Sequence, residues 1–260
     1  PTGMPRFYWI GVFIEDQNTS EEKPKDYFYT AFRDAVASIG RTLLVMGSLH
    51  NAKPLTRAWC IWEIFCTITA SNNAELIVVM PPSAQAGLEE MLRSSFDDVI
   101  DMIMGVKTEV SIAFKKHDQE KIHRLIRDVG GFHRVNCVIC DALRGWLAST
   151  ALKLIIYRPS QGIHYQHHQQ EELVFMNQVG RMLKDLGRLS EAEMVFRRTL
   201  EGFEHLLGDD HPSTLQLINN LGGLLYTQDR LDEAEPLFRR ALEVSKRVLG
   251  VDDPNTLRSV

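Results

Sequence analysis

The 260-residue chain is long enough to bury one large core or two ordinary ones, and its 29 Lys+Arg against 34 Asp+Glu leave a net charge of -5. Mixed-sign charge at that level provides neither a basic field for nucleic acid nor a polybasic patch for anionic lipid, and no run of about 18 apolar residues is present to span a membrane. Its four cysteines, Cys60, Cys66, Cys137 and Cys140, all lie in apolar helical stretches, as reduced thiols of a cytoplasmic protein do.

The first predicted element is a strand, Arg6 to Ile14 (RFYWIGVFI), whose continuous apolar and β-branched run suits a parallel sheet covered on both faces. The polar loop EDQNTSEEKPKD follows, where open α/β sheets place their ligands. Phe28, Phe32, Val36 and Ile39 at helical spacing, with Gly40 as a stop, predict an amphipathic helix over Asp26 to Ile39. RTLLVMG is a second buried strand. The loop SLHNAKP then leads into a helix from Leu55 to Ala70 (LTRAWCIWEIFCTITA), with Pro54 and Thr56 as start signals. This helix is apolar on nearly every side, so it is enclosed by its own domain, and Glu63 is the only ionisable residue in its middle. A carboxyl there has a raised pKa unless it meets a cation, Arg57 and Arg41 being the candidates, so Glu63 is the first candidate for chemistry. AELIVVMP closes the series as a third strand.

Strand, helix, strand, helix, strand predicts a parallel α/β domain with right-handed crossovers and a further strand upstream of Pro1. Four helices follow: SAQAGLEEMLRSSF capped by Ser83, FDDVIDMIM, DQEKIHRLIRDVG capped by Asp118 and stopped by Gly130, and FHRVNCVICDALRGWLAST. The last carries one apolar face (Val135, Val138, Ile139, Ala142, Leu143, Trp146) and reads as the cover of the sheet. His133 with Cys137 and Cys140 forms a lone CxxC, better read as helix packing than as a metal site. His117 and His123 are read as solvated or core histidines.

The segment YRPSQGIHYQHHQQEE, Tyr157 to Glu172, is polar and broken by proline and glycine, a linker with a histidine-rich patch at His164, His167 and His168. From Asn177 the chain repeats with a period of about 42, and aligning the two copies gives about 19 identities, too many for two unrelated helical hairpins. Gly180 and Gly222 allow two helices to approach, Ala192 and Ala234 face them, and Phe196 and Phe238 fill the space between. Leu207-Gly208 and Leu249-Gly250 end the second helices; Pro212 and Pro254 start the next ones. Such units must stack to bury their faces. Pro1-Thr-Gly running at once into a strand, and a third repeat opening at the other end, read as cuts from a longer protein.

Two resemblances give these elements names. Trp59-Cys60-Ile61-Trp62-Glu63 is similar to the W-C-x-x-E motif of plant-type Toll/interleukin-1 receptor (TIR) domains, and Phe13-Ile14-Glu15-Asp16 resembles the F-x-D segment before that family's mobile loop. The string from Tyr8 to Phe65 further resembles algal and protist proteins labelled kinesin light chain-like, in which an aspartate is expected where Gly11 stands. The LGxDDPNTL connector and its helices look like tetratricopeptide repeats (TPR) of the kinesin light chain type. The implied fold is α/β plus all-α: a TIR-like, flavodoxin-like parallel-sheet domain over 1–156, truncated at its N-terminus, a linker over 157–170, and an α-solenoid of TPR helix pairs over 171–260.

That resemblance implies a protein-interaction scaffold. Its TIR-like module associates with its own kind, and its first repeat helices line a groove for a protein or peptide partner, with Asn177, Arg181, Lys184, Asn219, Asn220 and Tyr226 on the inner face. It binds no nucleic acid and no membrane, and needs no cofactor. The alternative is an enzyme that hydrolyses NAD as substrate: Glu63 is the catalytic carboxylate beside the developing ribose cation, and Trp59, Trp62 and Asp16 form the pocket. A motor cargo adaptor is the third reading.

Overall fold

The computed structural model describes residues 38–49, 52–70, 74–156 and 166–248, together with Asp34 and Val36. Two compact units are present: residues 1–88 with 97–146, and residues 89–96 with 147–260. The strand read at Arg6–Ile14, the loop bearing Asp16, and the connector from Leu249 onward lie outside the described residues, as does most of the helix read over 26–39. Asp34, Val36, Ser38 and Ile39 are helical, and Gly40 ends that helix at φ +71°, its N–H donating to Val36 O at 2.8 Å.

In the first unit, strands β1 (Arg41–Val45) and β2 (Glu75–Val79) pair in parallel, from Arg41↔Glu75 to Val45↔Val79. The predicted direction and order of these two strands hold. Their faces differ from the expectation: Leu44 and Met46 are buried, whereas Leu43, Val45 and Val79 are exposed, and among the described residues only one face of the pair is covered. A parallel pair needs a crossover, and helix α1 (Ala58–Thr69) supplies it and packs on both strands. Thr67 Oγ1 donates to Glu63 O (2.7 Å), so its contact with Thr42 Oγ1 (2.6 Å) is one in which Thr42 donates, pinning α1 to β1.

The chain enters α1 differently from the reading of one helix from Leu55. Lys53–Thr56 is a short 3-10 turn with Pro54 near its start, and Arg57 is extended and bridged in parallel to Ile112. Ala58 N–H donates to Ile112 O (2.9 Å), which occupies one of the donors that the helix start leaves open. Helix α2 (Pro82–Ser94) starts one residue before the predicted Ser83 cap, because proline fits the first helical position. Helix α3 (Phe96–Met104) follows. Helix α4 (Lys116–Asp128) begins before Asp118, which therefore stands in the first turn rather than at the cap, its charge still favourable there. Helix α5 (Gly131–Ile156) runs six residues beyond the predicted Thr150. The cover laid against both strands is α1, with α4 against it. Helix α5 is instead held to the neighbourhood of α3 by Cys140 Sγ on Ile103 O (3.4 Å) and by Asn136 Oδ1 accepting from Thr108 N (2.9 Å).

The second unit is a stack of antiparallel helices: α6 (Gln166–Asp185), α7 (Leu189–Leu207), α8 (Pro212–Thr227) and α9 (Leu231–Val248). Helix α6 begins inside the predicted linker, so His167 and His168 belong to a helix and not to a loop; His164 lies outside the described residues. Helices α6 and α7 form one pair, α8 and α9 the next, and α7 packs on α8. The two glycines have the predicted role. A Cβ on Gly180 would lie 2.5 Å from Phe196 Cε1, and one on Gly222 would lie 3.0 Å from Phe238 Cε1. Gly208 ends α7 at φ +85°, and Pro212 opens α8 under a His211 cap whose Nδ1 accepts from Ser213 N (3.1 Å). The turns inside the pairs place Gly187 (φ +71°) and, one period later, Asp229 (φ +60°) in the left-handed region, which aspartate tolerates better than branched residues.

Residues 89–96 and 147–156 close the near end of this stack. Arg93 ion-pairs with Glu172 and stands over the Phe175 ring at 5.4 Å, and Phe96 meets Phe175 edge-on at 6.1 Å. From the other side, Arg188 donates to Ser149 Oγ (2.9 Å) and Arg198 to Ile155 O (3.3 Å).

Candidate functional site

Two places collect the candidate residues, one in each unit. In the repeat unit, the first helices α6 and α8 lie side by side and carry Asn177, Arg181, Lys184, Asn219, Asn220 and Tyr226, the residues read as an inner face. Asn220 Nδ2 donates to Asn177 Oδ1 at 3.0 Å, a bond from one repeat to the next. Lys184 lies across the same seam, its Nζ 3.3 Å from the place a Cβ on Gly223 would take. The 42-residue register explains the room: Gly223 stands where Arg181 stands one repeat earlier, and Tyr226 where Lys184 does. Arg181 and Tyr226 are exposed; Asn177, Lys184, Asn219 and Asn220 are half-buried. The surface thus carries two cations from α6, an amide ladder and an open tyrosine, which is chemistry for a peptide backbone with acidic side chains.

In the first unit, the residues carried by the W-C-x-x-E resemblance separate. Trp62 is fully buried and stacks on Phe65 (centroids 5.7 Å apart, 27° between planes), so it belongs to the core. Trp59 and Cys60 are half-buried, and Asp16 lies outside the described residues. Glu63 is largely enclosed, and no described residue hydrogen-bonds to its carboxylate or forms an ion pair with it. Burial pushes its pKa up from 4.5 to about 7, and the Arg57 charge offsets only part of this. Cys60 is raised as well, first by burial and then by the nearby Glu63 charge, which keeps its thiol protonated and a poor nucleophile.

The remaining candidates have local partners. Ser111 Oγ donates to Thr108 O (2.7 Å) and meets His123 Nε2 at 3.2 Å, while the His123 ring stands edge-on to Phe132. His133 Nε2 lies 3.7 Å from Cys137 Sγ, and Cys140 faces away, toward Ile103 O. Among the described residues no three His, Cys, Asp or Glu side chains come together as a metal site would require.

The sequence reading missed a charge network between the repeats. Glu193 on α7 accepts from Arg197 (2.8 Å) and Arg230 (2.6 Å), and Glu233 on α9 accepts from Arg230 (2.7 Å) and Arg197 (3.1 Å), closing a four-membered ring. Burial raises the Glu193 pKa, but the hydrogen bonds from Arg230 and Arg197 outweigh it and hold the carboxyl below its ordinary value. A signal for it was present. R-x-x-E-x-E-x-x-x-R recurs at 188–197 and 230–239, identical in all four charges, which helix packing alone does not demand.

Residues 171–247 and 215–259 match the family model described as tetratricopeptide repeat. Residues 171–259 are tetratricopeptide repeats. Helix pairs with glycine at the crossing, stacked through α7 and α8, are the structural counterpart of that match. No curated protein matches the chain. Among the described residues no helix is long and apolar enough to cross a membrane.

Proposed function

We propose that the protein is an interaction scaffold whose tetratricopeptide groove holds an extended, acidic segment of a protein partner, and whose sheet-bearing first unit, TIR-like in its central helix, associates with its own kind. The seam between α6 and α8 carries this reading: Asn177 and Asn220 are tied across it, and Lys184 reaches over Gly223 beside Arg181, so amide groups and cations converge on one exposed strip. An extended backbone uses the amides, and its carboxylates use the cations. The test is fluorescence anisotropy with labelled ten-residue peptides, one alternating Glu with small residues and one with Gln in place of Glu. The acidic peptide binds more tightly, and Arg181→Glu with Lys184→Glu lowers its affinity about tenfold or more, which corresponds to about 1.4 kcal/mol. Equal binding of both peptides overturns the reading.

A second reading, hydrolysis of NAD, is favoured by one observation, the enclosed Glu63 carboxyl without a partner among the described residues. Cleavage of the nicotinamide–ribose bond leaves positive charge on the ribose, which a carboxylate stabilises until water adds. Only ionised Glu63 does this, so turnover rises with pH through about 7. Nicotinamide release by the whole protein, absent in Glu63→Gln, supports this reading; a folded protein that releases none removes it.

A further inference from the structure

The segment between α3 and α4 has its polarity inverted. Thr108 and Ser111 are fully buried, whereas Val110 and Ile112 are 68% and 61% exposed and Phe114 is exposed completely. A single surface hydrophobe needs no explanation, but three within five residues, beside polar neighbours turned inward, reverse the usual order of burial. The segment is also held in place. Thr108 N–H donates to Asn136 Oδ1 on α5, and Ser111 Oγ donates to Thr108 O and meets His123 Nε2 on α4. Ile112 uses both its backbone groups on the entry to α1: its N–H donates to Thr56 O (3.0 Å), and its carbonyl accepts from Ala58 N (2.9 Å). Ser111 and Lys115 are extended, and in an extended chain the groups of the next residue, Ala113, face the opposite side. Among the described residues the Ala113 N–H and carbonyl have no backbone partner, so this side is an open edge.

We propose that this edge, residues 109–116, is where the first unit meets a second copy of the chain, the two segments lying antiparallel about a two-fold axis near Ala113. The proposal rests on the reading that the first unit associates with its own kind, and it names the surface. The order of residues selects the occupant. E-V-S-I-A-F-K-K carries an acid at one end, two lysines at the other and the exposed hydrophobes between them. Laid antiparallel on itself, it sets Glu109 of each copy toward Lys115 and Lys116 of the other and brings the hydrophobes together; laid parallel, it puts like charge on like. Glu109 suits that role. Its own backbone N–H and Asn136 Nδ2 (3.1 Å), with a smaller share from the Lys107 charge, hold its carboxyl below the ordinary value, so it is ionised at neutral pH and tied to α5. Ala113 then exchanges N–H···O bonds with its own counterpart, and an edge that otherwise faces water is filled. An anionic lipid surface would repel Glu109, and a partner of one charge sign would leave one end of the segment against like charge.

The test is sedimentation velocity of the full chain over a concentration series. The unchanged chain dimerises. Phe114→Ser weakens the dimer about tenfold, and so does either charge reversal alone, Glu109→Lys or Lys115→Glu with Lys116→Glu. Combining all three charge changes in one chain restores the dimer, as does mixing the two reversed variants, because in both cases every acidic end meets a basic one. These side chains are at the surface, so the variants keep the thermal midpoint of the unchanged chain. A dimer indifferent to the changes overturns this surface and leaves self-association standing. A chain that stays monomeric up to about 1 mM overturns both. If the midpoint of that monomer also falls with Phe114→Ser, another segment of the same chain covers the strip.

Discussion

Glu63 in the sheet-bearing unit and Glu193 in the repeats are both largely enclosed glutamates on helices, and their carboxyl groups are shifted in opposite directions. Glu63 has burial without a hydrogen-bond donor, and its pKa rises to about 7. Glu193 has burial with two arginines, and its pKa falls below the ordinary value. Burial alone sets the cost of a charge, and the partners decide its sign. The first glutamate costs stability at neutral pH and the second is matched to its place, which is why the first is the candidate for chemistry and the second for architecture.

The largest expected effect tests the Glu63 side of this contrast. A carboxyl whose pKa is raised in the folded state penalises folding above that value and loses the penalty as pH falls toward 4.5. Glu63→Gln therefore stabilises the protein by about 3 kcal/mol at pH 8, an advantage that fades as pH falls from 7 to 4.5, read from urea unfolding across that range. An unchanged difference across the range breaks the comparison. Glu193 runs the other way: its contribution is present above about pH 4.5 and is lost as pH falls through its lowered value.

Next in size is the helix crossing. A methyl group on Gly180 meets the Phe196 ring at 2.5 Å, which outweighs the helix propensity gained, so Gly180→Ala destabilises by about 2 kcal/mol; Gly222→Ala, at 3.0 Å, costs about 1 kcal/mol or less. The smallest effect separates engaged from exposed charge. Glu193→Gln leaves Arg197 with Glu233, and Arg230 with Glu233 and Gln228, and costs about 1 kcal/mol, whereas Glu235→Gln, at the same position of the exposed helix α9, costs less than about 0.5 kcal/mol in the same denaturant series.

The repeats were legible because their signals are local and doubled. Gly180 with Phe196, Gly208 with Pro212, and the 42-residue period each specify a contact or a turn by residue type. The residues read as an inner face were named from register alone; the structure brings Asn177 and Asn220 together at the α6–α8 seam and sets Lys184 across it. The first unit was legible only in part. Its parallel pair and enclosed helix follow from apolar runs of strand and helix length. Those runs do not say which face is covered, and Leu43 and Val45 are exposed where a fully buried strand was expected.

What the sequence by itself determined is periodicity: helix pairs, their crossing glycines, their capping prolines, and the strand–helix–strand order around α1. Tertiary structure alone decided which charges meet. Arg230 reaches Glu193 from 37 residues away because α7 packs on α8 and α9 returns antiparallel. Glu63 keeps its carboxyl unpaired among the described residues although Arg57 is only six residues earlier in the chain. Arg57 is extended and bridged to Ile112 while Glu63 sits on a packed helix, and the direction of a side chain relative to a distant neighbour is not a property of spacing.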